Sequence, residues 1–258
     1  MAKNVLWEEL SWSELKVKAT ENPVVIIPVG SMEQHGPHLP VKTDTILVSY
    51  IARKIAETMV DKGQSTLVGP AIWTGNSRHH MDFPGTISLD YSTFEGVIQH
   101  TCLSMHSHGF YRLVLLNGHG GNRGPLRMAI TKINEEIGRP VFCITYWDPA
   151  CNDMPQILEV QKGVEHSGEA ETSMMMVIAP DLVRLCSIKE AKGPDVPDPK
   201  ELSNNLVYTF RTLRNRTSTG VFGDATVASK EKGEKLLRII VNRIVDILSR
   251  PSLWKITV

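Results

Sequence analysis

Six consecutive residues without a polar side chain, Val24-Val25-Ile26-Ile27-Pro28-Val29, constrain this chain more than any other stretch. A run so short, so β-branched and so evenly apolar has no hydrophilic face, and it reads as a strand covered on both sides. Such strands belong to sheets with helices packed against each face. Thr66-Leu67-Val68, Arg112-Leu113-Val114-Leu115-Leu116-Asn117 and residues 141–147 read the same way. Helical patterns separate them: Ile46, Leu47, Tyr50, Ile51, Ile55 and Met59 recur at helical spacing down to Gly63. Further helices are expected at about 91–108, 124–137, from near Ser167 to before Pro180, and at about 225–249, with Ser11 as the cap of a short one within 7–20. The alternation predicts an α/β fold of three α/β/α layers around a mostly parallel sheet. No linker interrupts it, so residues 1–258 are read as one domain, and the Pro-, Asn- and charge-rich stretch 187–223 as a long surface excursion.

Composition excludes several classes of function. Lys plus Arg and Asp plus Glu are both 28, a balance that offers no basic surface for nucleic acid or an anionic membrane. Apolar runs such as 113–116 fall far short of the roughly 18 residues a membrane-spanning helix needs. Acids at Glu8 and Glu9 interrupt the segment a signal peptide would require. Cys102, Cys143, Cys151 and Cys186 lack metal-site spacing and read as reduced thiols, mostly in the interior. A cytoplasmic location follows as the expectation.

The chemistry gathers after the strands. Val29 leads into Gly30-Ser31-Met32-Glu33-Gln34-His35-Gly36-Pro37-His38, with Asp44 soon after. Carboxylate, imidazole and carboxylate at a buried strand end can hold a divalent transition metal. Asn117-Gly118-His119-Gly120-Gly121-Asn122 follows another strand. Its glycines let backbone and ligand approach His119 closely, but it lacks both GxGxxG and the Lys-Ser/Thr of a nucleotide-binding loop. Glu171 lies about one turn inside its helix and can point back toward His166, since helical side chains lean toward the amino end. Glu169 is read as favouring the helix dipole alone. His79 and His80 are adjacent, so at most one is expected to face the site, as pocket wall or substrate contact; Asn122 is a further substrate-contact candidate. Met174 to Met176 read as core, and His100, His106 and His108 as surface or satisfied core histidines.

Glu33, His35, Asp44, His119 and Glu171 together make two imidazoles and three carboxylates. That set suits two divalent ions bridged by one carboxylate, activating a shared water for attack on a carbonyl. His166 can move the proton to the leaving group. A non-catalytic metal- or ligand-binding protein is the competing expectation.

Four segments carry a resemblance to the creatininase family of metal-dependent amidohydrolases: 30–36 with Asp44, Phe83-Pro84-Gly85-Thr86, 117–122, and 166–173. The resemblance implies an α/β/α fold, a binuclear Zn or Mn site and commonly a homohexamer acting on a small molecule. By position, Glu33, His35, Asp44 and His119 resemble metal ligands, Asp44 the bridge, and His166 the catalytic histidine. Two departures matter. Creatininase has Tyr and a metal-binding Glu where this chain has Gly120 and Gly121, which leaves Glu171 as the substitute fifth ligand. It also has a Trp-Asp pair shortly before the catalytic histidine, where this chain has Lys162-Gly163, so creatinine itself is not the expected substrate. The expected reaction is hydrolysis of an amide or cyclic amide; the alternative is hydrolytic ring opening of a cyclic diketone such as an oxidised inositol.

Overall fold

A computed structural model describes residues 4–194 and 209–256. Four parallel strands, β1 (Val24–Val29), β2 (Thr66–Val68), β3 (Arg112–Asn117) and β4 (Phe142–Thr145), form one sheet in the order β2-β1-β3-β4. Between and after them run α1 (Trp12–Thr20), α2 (Thr43–Asp61), α3 (Tyr91–Ser107), α4 (Arg123–Ile137), α5 (Glu169–Ile178) and α6 (Lys230–Leu248).

Strand parity divides the core in two. Val24, Ile26, Val114 and Leu116 face one way, into a cluster with α2, α5 and α6. Val25, Ile27, Val29, Leu113 and Leu115 face the other way, into a cluster with α3 and α4, and α1 packs there through Leu15 and Ala19. All six residues of β1 are buried, as expected of a strand between two helical layers. Met174 and Met175 lie fully in the first cluster, and Met176 packs against it.

Caps fix most helix starts. Ser11 and Glu14 form a reciprocal capping box at α1, Asp90 caps α3 through Thr93 N at 2.7 Å, and Ser229 caps α6 through Lys232 N at 3.2 Å. The last helix therefore begins later than the expected 225. Asp224 accepts from Thr226 N at 2.8 Å and turns 225–227 into a separate 3-10 element. β4 is also shorter than 141–147; Tyr146 N still bonds to Asn117 O, after which the chain coils at Asp148–Ala150.

Two expectations need correction. Cys151 and Cys186 are exposed, so only Cys102 and the part-buried Cys143 are interior thiols. The stretch 187–223 is not all surface: Ala191, Leu213, Val221 and Phe222 are buried, the first and third in a small cluster with Ala225. Residues 195–208 of that stretch lie outside the described residues.

The topology decides where a site can form. From β1 the chain crosses to β2 on one side, and from β3 it crosses to β4 on the other, so the connections leaving β1 and β3 diverge. Those two strands are neighbours, with Val29 paired to Asn117 at their carboxyl ends. A crevice opens at such a switch point. The first turn of α2 inserts beside it, and two glycines permit the approach. A Cβ on Gly118 would lie 2.7 Å from Val48 Cβ and 3.1 Å from Asp44 O, and one on Gly30 only 2.4 Å from Thr45 Oγ1.

Candidate metal centre

Glu33 and His35 leave β1, His119 leaves β3, and Asp44 enters from the second position of α2. All four are buried. α2 has no side-chain cap, its N-cap being Lys42, and Asp44, the acid in its first turn, is turned into the crevice. Its two oxygens face opposite partners: Oδ1 lies 3.0 Å from His35 Nε2 and Oδ2 lies 3.2 Å from His119 Nδ1. His35 donates Nδ1–H to Glu33 O at 3.0 Å, which leaves Nε2 toward the crevice. Glu33 Oε2 meets His119 Nε2 at 3.2 Å and accepts from Ser31 Oγ at 3.1 Å.

Glu171 arrives from α5. Its Oε2 lies 3.7 Å from His35 Nε2 and accepts from Ser167 N at 2.7 Å. Ser167 has φ +58°, in the left-handed region, and this turn sets both the direction of His166 and the amide that holds Glu171. The five residues thus surround one crevice, with Asp44 between the two imidazoles.

The electrostatics fit cation binding. Burial lowers the His35 pKa, but Asp44, Glu171 and Glu33 outweigh it and raise it to about 10. His119 is raised well above the usual histidine range against its burial, chiefly by Glu33 and Asp44. Burial resists ionisation of Glu33, yet His119, His80 and His166 together more than offset it and hold the carboxyl well below its ordinary value. Burial raises Glu171 to about 7 despite His35. Three carboxylates in one water-poor crevice need compensating charge. Glu33 Oε1 and Asp44 Oδ2 are buried without a hydrogen-bond partner among the described residues, and Glu33, His35 and Asp44 offer ligand atoms within 4.8 Å of one another. Oxygen and imidazole donors of this kind suit Zn or Mn. The residues fit such ions.

Around this floor stands a ring of neutral imidazoles organised by Gln34. The Gln34 amide oxygen accepts from Gly36 N at 2.8 Å, and its nitrogen donates to Gly220 O at 3.0 Å, which settles the amide orientation. The remaining N–H lies between two imidazole nitrogens, His166 Nε2 at 2.9 Å and His80 Nδ1 at 3.2 Å, while His80 Nε2 stands 3.3 Å from Glu33 Oε1. His166 Nε2 also lies 2.8 Å from Gln34 O, and its Nδ1 lies 3.5 Å from Glu33 Oε1. Burial first, then His35, hold His166 well below the usual histidine range, so it stays neutral and able to accept a proton.

The structure moves three residues from their expected places. His79 and His80 both face the site, not one: the 3-10 turn Arg78–His80 sets their rings edge to face at 4.3 Å, and His79 also stacks on His119 at 5.6 Å. Asn122 stands behind the crevice, not in it. Its Oδ1 accepts from Asn76 N and its Nδ2 donates to Gly30 O, both at 2.9 Å, so the side chain is committed to tying three loops together. Glu169 does more than face a helix dipole. It is fully buried, accepts from Glu159 N and Val160 N, and pairs with Lys232 Nζ at 2.6 Å, fixing the 159–160 loop over the cleft. Glu169→Ala is expected to cost about 1–3 kcal/mol in urea unfolding, because it leaves two loop amides without their acceptor while Lys232 keeps Glu159 and Val227 O; an unchanged midpoint would show that water replaces the carboxylate.

Gln34, Ser31 and Ser77 had no role assigned from sequence. Gln34 sat inside a quoted motif, but its function depends on Gly220 and His166, far along the chain. His38 is buried and bonded to Thr172 Oγ1 at 2.7 Å, bracing the loop against α5.

A family model for creatininase, described as creatinine amidohydrolase, matches residues 8–248. The chain belongs to the creatininase family. It is 31% identical to the creatinine amidohydrolase of Pseudomonas putida over 95% of this chain and 96% of that protein. It is 30% identical to a mycofactocin precursor peptide peptidase of Mycolicibacterium smegmatis, over 88% of this chain and 85% of the relative. A 3-dehydro-scyllo-inosose hydrolase of Thermotoga maritima is 28% identical over 95% of this chain and 84% of its own length. The crystal structure of creatinine amidohydrolase superimposes with a TM-score of 0.82 at 29% identity, covering 99% of this chain and 100% of that one. A mutant creatininase of Zn-Zn type and a creatininase with Mn match at TM-scores of 0.80 and 0.81. Creatininase-family structures thus carry Zn or Mn, and this chain is a metal-dependent hydrolase of that family.

Proposed function

We propose that the chain holds two divalent ions, Zn or Mn, through Glu33, His35, Asp44, His119 and Glu171, and hydrolyses an amide or cyclic amide of a small polar substrate. The observation that carries this reading is Asp44, whose oxygens address His35 on one side and His119 on the other. A carboxylate so placed is a natural bridge. When bound, the pair of ions supplies Lewis-acid chemistry, acidifying water and polarising a carbonyl. The chain's own residues do the rest. His166 Nδ1 accepts the proton from the attacking water and returns it to the departing nitrogen. Gln34 holds the His166 ring in place at Nε2, through its backbone oxygen at 2.8 Å and its amide nitrogen at 2.9 Å.

The cleft above has a volume of about 710 Å³, room for a small molecule. Gly120, Gly121 and Lys162 line it, the positions where resemblance leads one to expect a departure from creatinine. Ring opening of a cyclic diketone is a second reading, supported by the match to the inosose hydrolase over 95% of this chain, since the same floor would serve both reactions. We carry with this reading one domain over 1–258, a homohexamer and a cytoplasmic location; among the described residues no helix is long and apolar enough to cross a membrane.

Metal analysis of purified protein is expected to find close to two ions per chain, and Glu171→Gln to retain about one. A variant that keeps both removes Glu171 from the ligand set. The substrate class is tested by screening small amides, lactams and cyclic ketones with Zn- or Mn-loaded protein. Turnover of ketones alone would replace the amide reading by the second one, and no turnover of any member would overturn both.

A further inference from the structure

Above the floor, one wall of the cleft carries positive charge that the hydrolytic chemistry does not use. Arg216 lines it beside Leu213 and Phe222, and its guanidinium lies 4.6 Å from the centroid of the Phe222 ring. No carboxylate pairs with Arg216 among the described residues. The charged group that influences it is another cation, Arg211. Lys162 lines the same cleft, is exposed, and has no ion pair among the described residues. Glu165, also at the wall, accepts a hydrogen bond from Gln161 Nε2 at 2.7 Å.

The backbone beneath Arg216 is firmly placed. Leu213 is 2% exposed and opens a 3-10 turn, and Arg216 N closes it onto Leu213 O at 2.8 Å. Arg214 lies over Phe83 at 4.4 Å and donates to Ser218 O at 3.1 Å. Arg214 thus serves the fold, whereas Arg216 presents its planar donor fork to the cleft. His79 feels both the charge of Arg216 and the carboxylates of Glu33 and Asp44, so the arginine stands within a small molecule's reach of the floor. A guanidinium on a fixed turn, lining the same cleft as a second cation and without an acid of its own among the described residues, matches an oxyanion brought by a ligand.

We propose that the substrate carries an oxyanion, a carboxylate or a phosphate, apart from the carbonyl that is cleaved, and that Arg216 binds it with help from Lys162. This inference rests on the hydrolase reading above and narrows its substrate class to anionic amides.

The test compares three probes with metal-loaded protein: N-formylglycine, N-formylglycinamide and N-formylaminoethyl phosphate. Wild-type kcat/KM is expected to be at least about tenfold higher for an anionic probe than for the neutral amide, and Arg216→Gln to collapse that ratio. Whichever anion is favoured identifies the carboxylate or the phosphate. Arg216→Lys should keep part of the preference, and Arg238→Gln, on the exposed face of α6, all of it. Equal kcat/KM for neutral and anionic probes in the wild type, or a ratio untouched by Arg216→Gln, overturns the inference while leaving the hydrolase reading intact. Binding is followed separately, as thermal protection by inorganic phosphate and by malonate. Protection lost in Arg216→Gln without turnover of any probe supports the anion site and counts against the hydrolase. Protection that is identical in wild type and variant overturns the site. If Arg216→Gln does not fold, the Arg216→Lys ratio and the wild-type preference decide.

Discussion

Asp44→Ala is expected to release both ions and to abolish measurable turnover. Removing an outer partner of a metal ligand commonly costs about 10- to 100-fold in affinity or activity. Asp44 is in the crevice itself, between two imidazoles, so its loss should exceed that range. It also leaves His35 and His119 without the carboxylate that faces both. Metal analysis after gel filtration, together with turnover of the best amide from the screen, reads the result. If the variant keeps two ions, the bridge is another carboxylate; Glu33, which meets His119 and His80 through different oxygens, is the one to examine next.

His166→Ala should behave in the opposite way, keeping the ions and losing about 100- to 10,000-fold in kcat. The reason is position: Nε2 is held at Gln34, and Nδ1 faces the crevice, 3.5 Å from Glu33 Oε1. A wild-type metal content with near-normal kcat would assign proton transfer elsewhere. Loss of one ion would instead make His166 a ligand, an outcome its proximity to His35 and Glu171 makes worth measuring. The pair of variants therefore separates holding the metals from moving the proton.

Much of this architecture was legible in the chain itself. β1 and β3 announced themselves because helices on both faces demand unbroken apolar runs, and Ser11 capped where it was expected. Glu33, His35, Asp44 and His119 follow or flank those strands, so strand ends located them. What stayed hidden depends on relations across sequence. Asn122 was expected as a substrate contact from its place in the polar cluster after a strand, but its amide answers Asn76 and Gly30, which no local pattern predicts. His79 and His80 were expected to diverge as in extended chain, whereas a 3-10 turn folds both rings to one side. Glu169 looked like a dipole residue until Lys232, 63 positions away, was placed beside it. Arg216 carried no signal at all, since an arginine in a polar stretch is ordinarily solvated.

The position of the crevice at the divergence of β1 and β3 bears on how the protein is made. Its ligands come from two strand ends and two helices, separated by up to more than half the chain, so the full set closes only once the sheet and α5 are assembled. A chain stalled with α5 undocked would hold the β1 and β3 ligands without Glu171. Bound ions favour the assembled state by mass action, an increment that grows with free metal concentration. Chelation should accordingly lower the melting temperature of the whole protein, not just silence its chemistry. In a cell, metal supply would then help to set how much of this protein survives proteolysis as well as how much of it is active.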